Sequence, residues 1–537
     1  MLLLNPIVQK ILFSLIGVVL SVALLPMQAL QFVAPQWEEL AETVGLIQAM
    51  SKAAFYDPGP KRDNPYFLPG DAQLGFAPGE HWTMGFGKAN LTNTPEIRAK
   101  IAAGHYHIAG FGRTPSASVM DDMYVKAIYL NDNTGRGGLL YAVVDCIGLS
   151  GTDANQIRAL VWGWANAAGV KSIQVAATHM HSGIDTIGLW ADIPEDGKDA
   201  AFQQRLIEQA ALALRAAYDN RQDGRLFIAD TEMAGMMEDS RAPYVYDTKL
   251  TRLRFEPFDD DLSDVYLIST GVHPEMMGPA NPKISADFPA YATKYIYEQT
   301  GAETMFIQGA LGLLITPPDY GTVLHEHNYK GNVTYGPSLV PGWGERFGQY
   351  ALGEIGRLSE EAELPAILNI TSMQIDLPVE NIALLLSVKL RVLNHGVYTR
   401  RGRWHIPIEI SYLRLGDLNE SVDILIVPGE LAPEIAFGGF MEAAQSATGK
   451  AYARPALFEA LDRHEFASQR QVVFGMANNF IGYIIPENDF YLHRWLPYIN
   501  IGERNGRSHY EESVSAGRQT AKIISEGFEG IFAGLAE

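Results

Sequence analysis

The sequence predicts an α/β fold: a mixed β-sheet core flanked by helices, in a single large catalytic domain. Two observations carry this prediction. Apolar strand-like runs, such as Gly138-Leu139-Leu140-Tyr141-Ala142-Val143-Val144, alternate with helix-like segments such as 200–218; such alternation builds layers of sheet and helix. Three apolar runs also end on a polar residue next to Gly or Pro, the arrangement by which α/β proteins place sites at strand ends.

Taken in chain order, Lys10 precedes an apolar run from Ile11 to Leu25, followed by Pro26-Met27-Gln28-Ala29. The stretch 11–30 has about the 20 residues that a helix needs to cross a bilayer. Residues 1–30 are expected to be a signal peptide or a membrane anchor, with the rest of the chain extracytoplasmic, whether secreted, periplasmic or membrane-anchored. Segment 31–70 reads as an amphipathic helix to about Met50 and then a linker, rich in Pro and charge at 57–65. The catalytic domain is expected to fill 71–537. Within it, 171–177 and 265–272 read as buried strands, and a helix is expected over 515–526. Between 380 and 414, strand-like runs around Leu384-Leu385-Leu386 and 406–410 suggest a lid or a substrate-specific insertion.

Composition narrows the class. The 537 residues carry a formal net charge of -21 and 47% hydrophobic side chains. That balance fits a globular protein and argues against nucleic acid and against charge-driven adsorption to anionic membranes. The single cysteine, Cys146, excludes an internal disulfide and reads as a small buried hydrophobe.

The chemistry concentrates at the strand ends. Thr178-His179-Met180-His181-Ser182-Gly183 follows the strand at 171–177, and alternating residues of a strand point one way. His179 and His181 thus aim into one site, as suits a divalent transition metal, most often zinc. The strand at 265–272 ends on His273, with Pro274 stopping it. A third run, 423–430, ends on Glu430. His179, His273 and Glu430 make the mixed nitrogen and oxygen set of a hydrolytic zinc centre with room for water. The pairs His105/His107 and His325/His327 have the same local form without further support.

Several segments, in order, resemble the neutral/alkaline, non-lysosomal ceramidases, zinc-dependent amidases that split N-acylsphingosines. They are Met84-Gly85-Phe86-Gly87-Lys88-Ala89, Ala109-Gly110-Phe111-Gly112-Arg113, Asp122-Met123-Tyr124-Val125-Lys126-Ala127 and, more loosely, Val144-Asp145-Cys146-Ile147-Gly148. The His179 segment, Ser240-Arg241-Ala242-Pro243-Tyr244-Val245-Tyr246, Val272-His273-Pro274 and Ser285-Ala286-Asp287 continue the series. The resemblance implies one Zn2+ per chain held by His179, His273, Glu430 and Tyr483, the last in Gly475-Met476-Ala477-Asn478-Asn479-Phe480-Ile481-Gly482-Tyr483. It makes His181 an imidazole that either backs the metal ligands or faces the substrate, Arg241 a contact to the amide oxygen or head group, and Tyr510, in Tyr510-Glu511-Glu512-Ser513, a catalytic tyrosine.

The family's serine motif departs here to Ala310-Leu311-Gly312-Leu313-Leu314-Ile315-Thr316-Pro317. The serine aligns with Ile315 or, after one insertion, with Thr316, which reads as a turn residue before it reads as a nucleophile. Met276 and Met277 replace polar residues. The resemblance covers the catalytic part, without the family's C-terminal β-sandwich domain. The implied activity is hydrolysis of the amide bond of an N-acylated, ceramide-like lipid or a related acyl compound by metal-activated water. A non-catalytic metal-binding descendant and a zinc-dependent esterase or lactonase are the alternatives. The expected partners are a lipid-like substrate and, through the N-terminal segment, a membrane.

Overall fold

The structure is a computed structural model that describes residues 56–191, 196–233, 235–316, 336–495, 497–498 and 509–536. The expectations for 1–30 and 31–50, and the His325/His327 pair, lie outside the described residues. Among those described, no helix is long and apolar enough to cross a membrane.

The first half of the chain builds one large mixed sheet. Its strands are β1 (Trp82–Asn90), β2 (Tyr124–Asn131), β3 (Gly138–Val144), β4 (Val170–Ala177), β5 (Gln222–Glu232), β6 (Lys249–Pro257), β7 (Val265–Thr270) and β8 (Glu303–Gln308). They lie in the order β8-β7-β6-β5-β1-β2-β3-β4, with the short β9 (Ala362–Leu364) also on β5. The middle of the sheet is antiparallel, whereas the outer pairs β7–β8 and β3–β4 are parallel. Those two outer pairs carry the predicted histidines at the ends of β7 and β4.

Period-two alternation splits each strand between two cores. In β3, Leu140, Ala142 and Val144 face one core, and Leu139, Tyr141 and Val143 face the other. Helices cover the first of these faces. They are α1 (Gly151–Ala167), α2 (Ala200–Asp219), α3 (Asp287–Thr300) and α4 (Val340–Leu352). Ser150 starts α1 with a capping box to Asp153, and the Asp199 side chain accepts from Phe202 N to start α2.

The opposite face meets a second sheet. Its strands are β10 (Leu368–Pro378), β11 (Tyr398–Arg400), β12 (Arg403–Gly416), β13 (Ser421–Ile426) and, after the short β14 (Glu430–Leu431), β15 (Arg470–Phe474). A shared core joins the sheets: Trp82, Leu139 and Leu226 from the first pack with Leu368, Leu413 and Ile424 from the second. β14 pairs in parallel with β16 (Tyr483–Ile484), so that Glu430 lies opposite Tyr483.

This sheet corrects the reading of 380–414. β12 pairs with β10 from Leu368↔Leu415 to Pro378↔His405. Residues 403–414 therefore belong to a central strand of a core sheet and not to an inserted lid. The leucine run at 384–386 lies in a helix, α5 (Ile382–Lys389), because the Asn381 side chain accepts from the N–H groups of Ala383 and Leu384. The C-terminal helix α6 (Thr520–Ala536) starts later than expected and packs Phe528 and Phe532 on the outer face of the second sheet. Four layers result: helix, sheet, sheet, helix.

Candidate metal centre

His179 lies two residues beyond β4, with its backbone in the left-handed region at φ 61°. A β-unbranched residue tolerates this at a cost of roughly 1–3 kcal/mol. Its Nδ1 donates to the Ile147 carbonyl at 2.7 Å, which fixes the ring and leaves Nε2 free to point inward. His273 is held in the same way: its Nδ1 donates to Leu314 O at 2.8 Å. Glu430 Oε2 faces both rings, 3.1 Å from His273 Nε2 and 3.5 Å from His179 Nε2.

This geometry tests whether a cation fits. Two imidazoles that have committed their Nδ1 protons to carbonyls present lone pairs at Nε2. Those lone pairs confront a carboxylate oxygen, so three acceptors converge in a buried place. Burial opposes a charged Glu430, and positive charge on the side of His179 and His273 is what holds its carboxyl down, at about 2. The set is complete only with positive charge at its centre. Among the described residues, His179, His181 and His273 form a buried group, with ligand atoms within 4.8 Å of one another, that could hold a metal ion.

His181 thus lies beside the centre, with Nε2 3.3 Å from His179 Nε2. Burial and the two neighbouring imidazoles push it well below the usual range, so it is neutral. Its backbone N–H donates to Pro274 O at 2.9 Å, tying the two histidine segments together. A Cβ at Gly110, where φ is 117°, would lie 2.5 Å from His181 Cβ; only glycine lets that loop cross so close.

On the far side, the Tyr483 ring stacks on His273, and its hydroxyl lies 2.9 Å from that of Tyr510. Gly482 makes this possible, since a Cβ there would lie 1.6 Å from the Val514 carbonyl oxygen. Tyr510 is 47% exposed, whereas Tyr483 is buried.

No protein-family model and no curated protein matches the chain. Among solved structures, the neutral ceramidase from Pseudomonas aeruginosa aligns with a TM-score of 0.60 over 85% of this chain and 74% of that one, at 15% identity. A ceramidase complexed with C2 aligns with the same TM-score and identity, over 85% and 75%. The chain has a neutral ceramidase-like fold.

Within this ceramidase-like fold two expected residues stand differently. Arg241 is engaged by carboxylates. Its guanidinium is buried among carboxylates, bonding Glu511 at 3.0 Å, both oxygens of Glu512 at 3.0 and 3.3 Å, and Asp489 through its carbonyl at 2.7 Å and carboxylate at 3.3 Å. Both terminal nitrogens are thereby committed, and none is left for a substrate. Glu511 and Glu512 directly follow Tyr510, so Arg241 holds the segment that carries that tyrosine.

Thr316 is fully buried and donates its hydroxyl to the His273 carbonyl at 2.6 Å. It braces the turn at His273. Cys146 is buried, its thiol pushed up to about 12 by burial. His105 pairs with Asp199 at 2.8 Å on the surface and not with His107.

Sequence reasoning missed Glu275, buried, with Oε2 3.6 Å from His181 Nδ1. Burial raises its carboxyl to about 7, against the pull of His273. A carboxylate two residues after a strand-end histidine was the available signal.

Proposed function

We propose that this protein is a zinc-dependent hydrolase that cleaves the amide bond of an N-acylated lipid or a related acyl compound. The observation that supports it most is the buried convergence of His179 Nε2, His273 Nε2 and Glu430 Oε2 within a neutral ceramidase-like fold. His179, His273 and Glu430 would hold the ion, with Tyr483, opposite Glu430, as the fourth donor. A zinc ion so held supplies Lewis acidity and lowers the pKa of water to about 7.

The chain's own side chains supply the rest. Neutral His181 takes up and returns a proton at Nδ1, which has no hydrogen-bond partner and faces Glu275. Tyr510, whose hydroxyl lies beside that of Tyr483, donates to the oxygen on which charge develops. Arg241 acts through Tyr510 by fixing its segment. Thr316 is not the nucleophile, because its hydroxyl proton is engaged at His273 O.

The test combines elemental analysis of freshly purified protein with assays on N-acyl lipids, N-acyl amino acids and esters. About one zinc per chain, and N-acyl lipid hydrolysis lost on chelation, is the expected result. Absence of stoichiometric metal would overturn the reading, and turnover of esters alone would replace it with the esterase alternative.

A further inference from the structure

Gln308 ends β8 and is fully buried between the two histidine segments. Its side-chain amide has two N–H groups and one carbonyl, and all three are committed. Nε2 donates to Thr178 O at 2.8 Å and to Val272 O at 2.7 Å, while Oε1 accepts from Val272 N at 3.3 Å. Thr178 and Val272 are the residues immediately before His179 and His273. β8 lies beside β7, whereas β4 is at the opposite edge of the sheet, so no ladder hydrogen bond joins the two histidine segments.

The backbone around Gln308 extends the same connection. Gly475 N donates to Gln308 O at 2.7 Å, at the start of the loop leading to Tyr483. Gly312 N donates to Leu431 O at 2.9 Å, next to Glu430. Leu314 O receives both the backbone N–H and Nδ1 of His273. The stretch 308–314 therefore touches the neighbourhood of every candidate ligand.

We propose that Gln308 is a positioning residue that sets the spacing of His179 and His273 for the metal ion. The inference rests on the metal-centre reading above. An amide suits the task because it satisfies two carbonyls and one N–H at once. A carboxylate in its place would set oxygen against both carbonyls, and an apolar side chain would leave them buried and unpaired.

The test uses the full-length protein and does not require the substrate. Zinc affinity is measured by competition with a chromophoric chelator, and geometry by the visible spectrum of the cobalt-substituted protein. Gln308→Met, close in volume, should weaken zinc binding about 10–100-fold, the usual loss when a group orienting a ligand is removed, and shift the cobalt bands. Should that variant not fold, Gln308→Asn keeps the amide but is one methylene too short to reach both carbonyls, and is read in the same way. Wild-type zinc affinity and cobalt spectrum in the folded variant would overturn the role of Gln308 alone. A wild-type protein that takes up neither metal would overturn both this role and the proposed function.

Discussion

Arg241→Ala should destabilise the fold and not merely slow turnover. Removing the guanidinium leaves Asp489, Glu511 and Glu512, each under 10% exposed in its side chain, without their shared counter-charge. Breaking a buried ion pair from one side typically costs about 3–5 kcal/mol, because the remaining charge stays desolvated. The loss should be visible in denaturant unfolding at pH 7, and a cycle with Glu512→Gln should show coupling of roughly 0.5–3 kcal/mol.

The deficit should also follow pH. Burial alone would raise the Glu512 carboxyl, but His509 and Arg241 hold it down at about 2, against about 4.3 in an unfolded chain. A depressed carboxyl contributes stability that is full above about 4.3 and is lost as pH falls toward 2. The gap between wild type and Arg241→Ala should therefore be greatest at neutral pH and narrow in that acid window. Arg241→Lys, which keeps the charge but loses the fork, should fall between them. Unfolding within about 1 kcal/mol of wild type, together with a large loss of turnover, would refute this reasoning and return Arg241 to substrate contact.

His179→Ala and His273→Ala should each abolish stoichiometric zinc, and Glu430→Gln should weaken it, all by elemental analysis after dialysis. Thr316→Ala should keep most activity and lose roughly 1 kcal/mol of stability, the worth of one hydrogen bond; an inert variant with normal zinc would restore a hydroxyl nucleophile. Tyr510→Phe should cut turnover about 10²–10³-fold with zinc retained, which steady-state kinetics on the true substrate would measure. Gly110→Ala should displace His181 and lower turnover, because the new Cβ would lie within 3 Å of three His181 atoms.

What could be read in the sequence was local. His179 and His273 stood out because apolar runs of period two ended on them, and Glu430 because a Pro-Gly turn preceded it. The leucines at 384–386 suit a strand as well as a helix, and the Asn381 cap that decides between them is one residue among many; the strand around 406–410 was legible, but its pairing with Leu368–Pro378 was not. The carboxylates around Arg241 left no local mark, because they lie about 250 residues away or more: Asp489 is 248 positions distant and Glu512 is 271. Gln308 carries no local signal, since its meaning lies in two carbonyls 130 and 36 residues back.

The division of the chain between its sheets has a consequence for synthesis. Residues up to Leu364 complete the first sheet, and the second begins at Leu368. A ribosome therefore finishes one layer before it starts the other. In that interval the inner face of the first sheet, with Trp82, Leu139, Tyr141 and Leu226, has nothing to cover it. His179 and His273 are already made, while Glu430 and Tyr483 are still untranslated. A half-made chain is thus at its most adhesive just when it can gather the imidazoles but not the Glu430 carboxylate, which is the stage at which a holding chaperone would matter most.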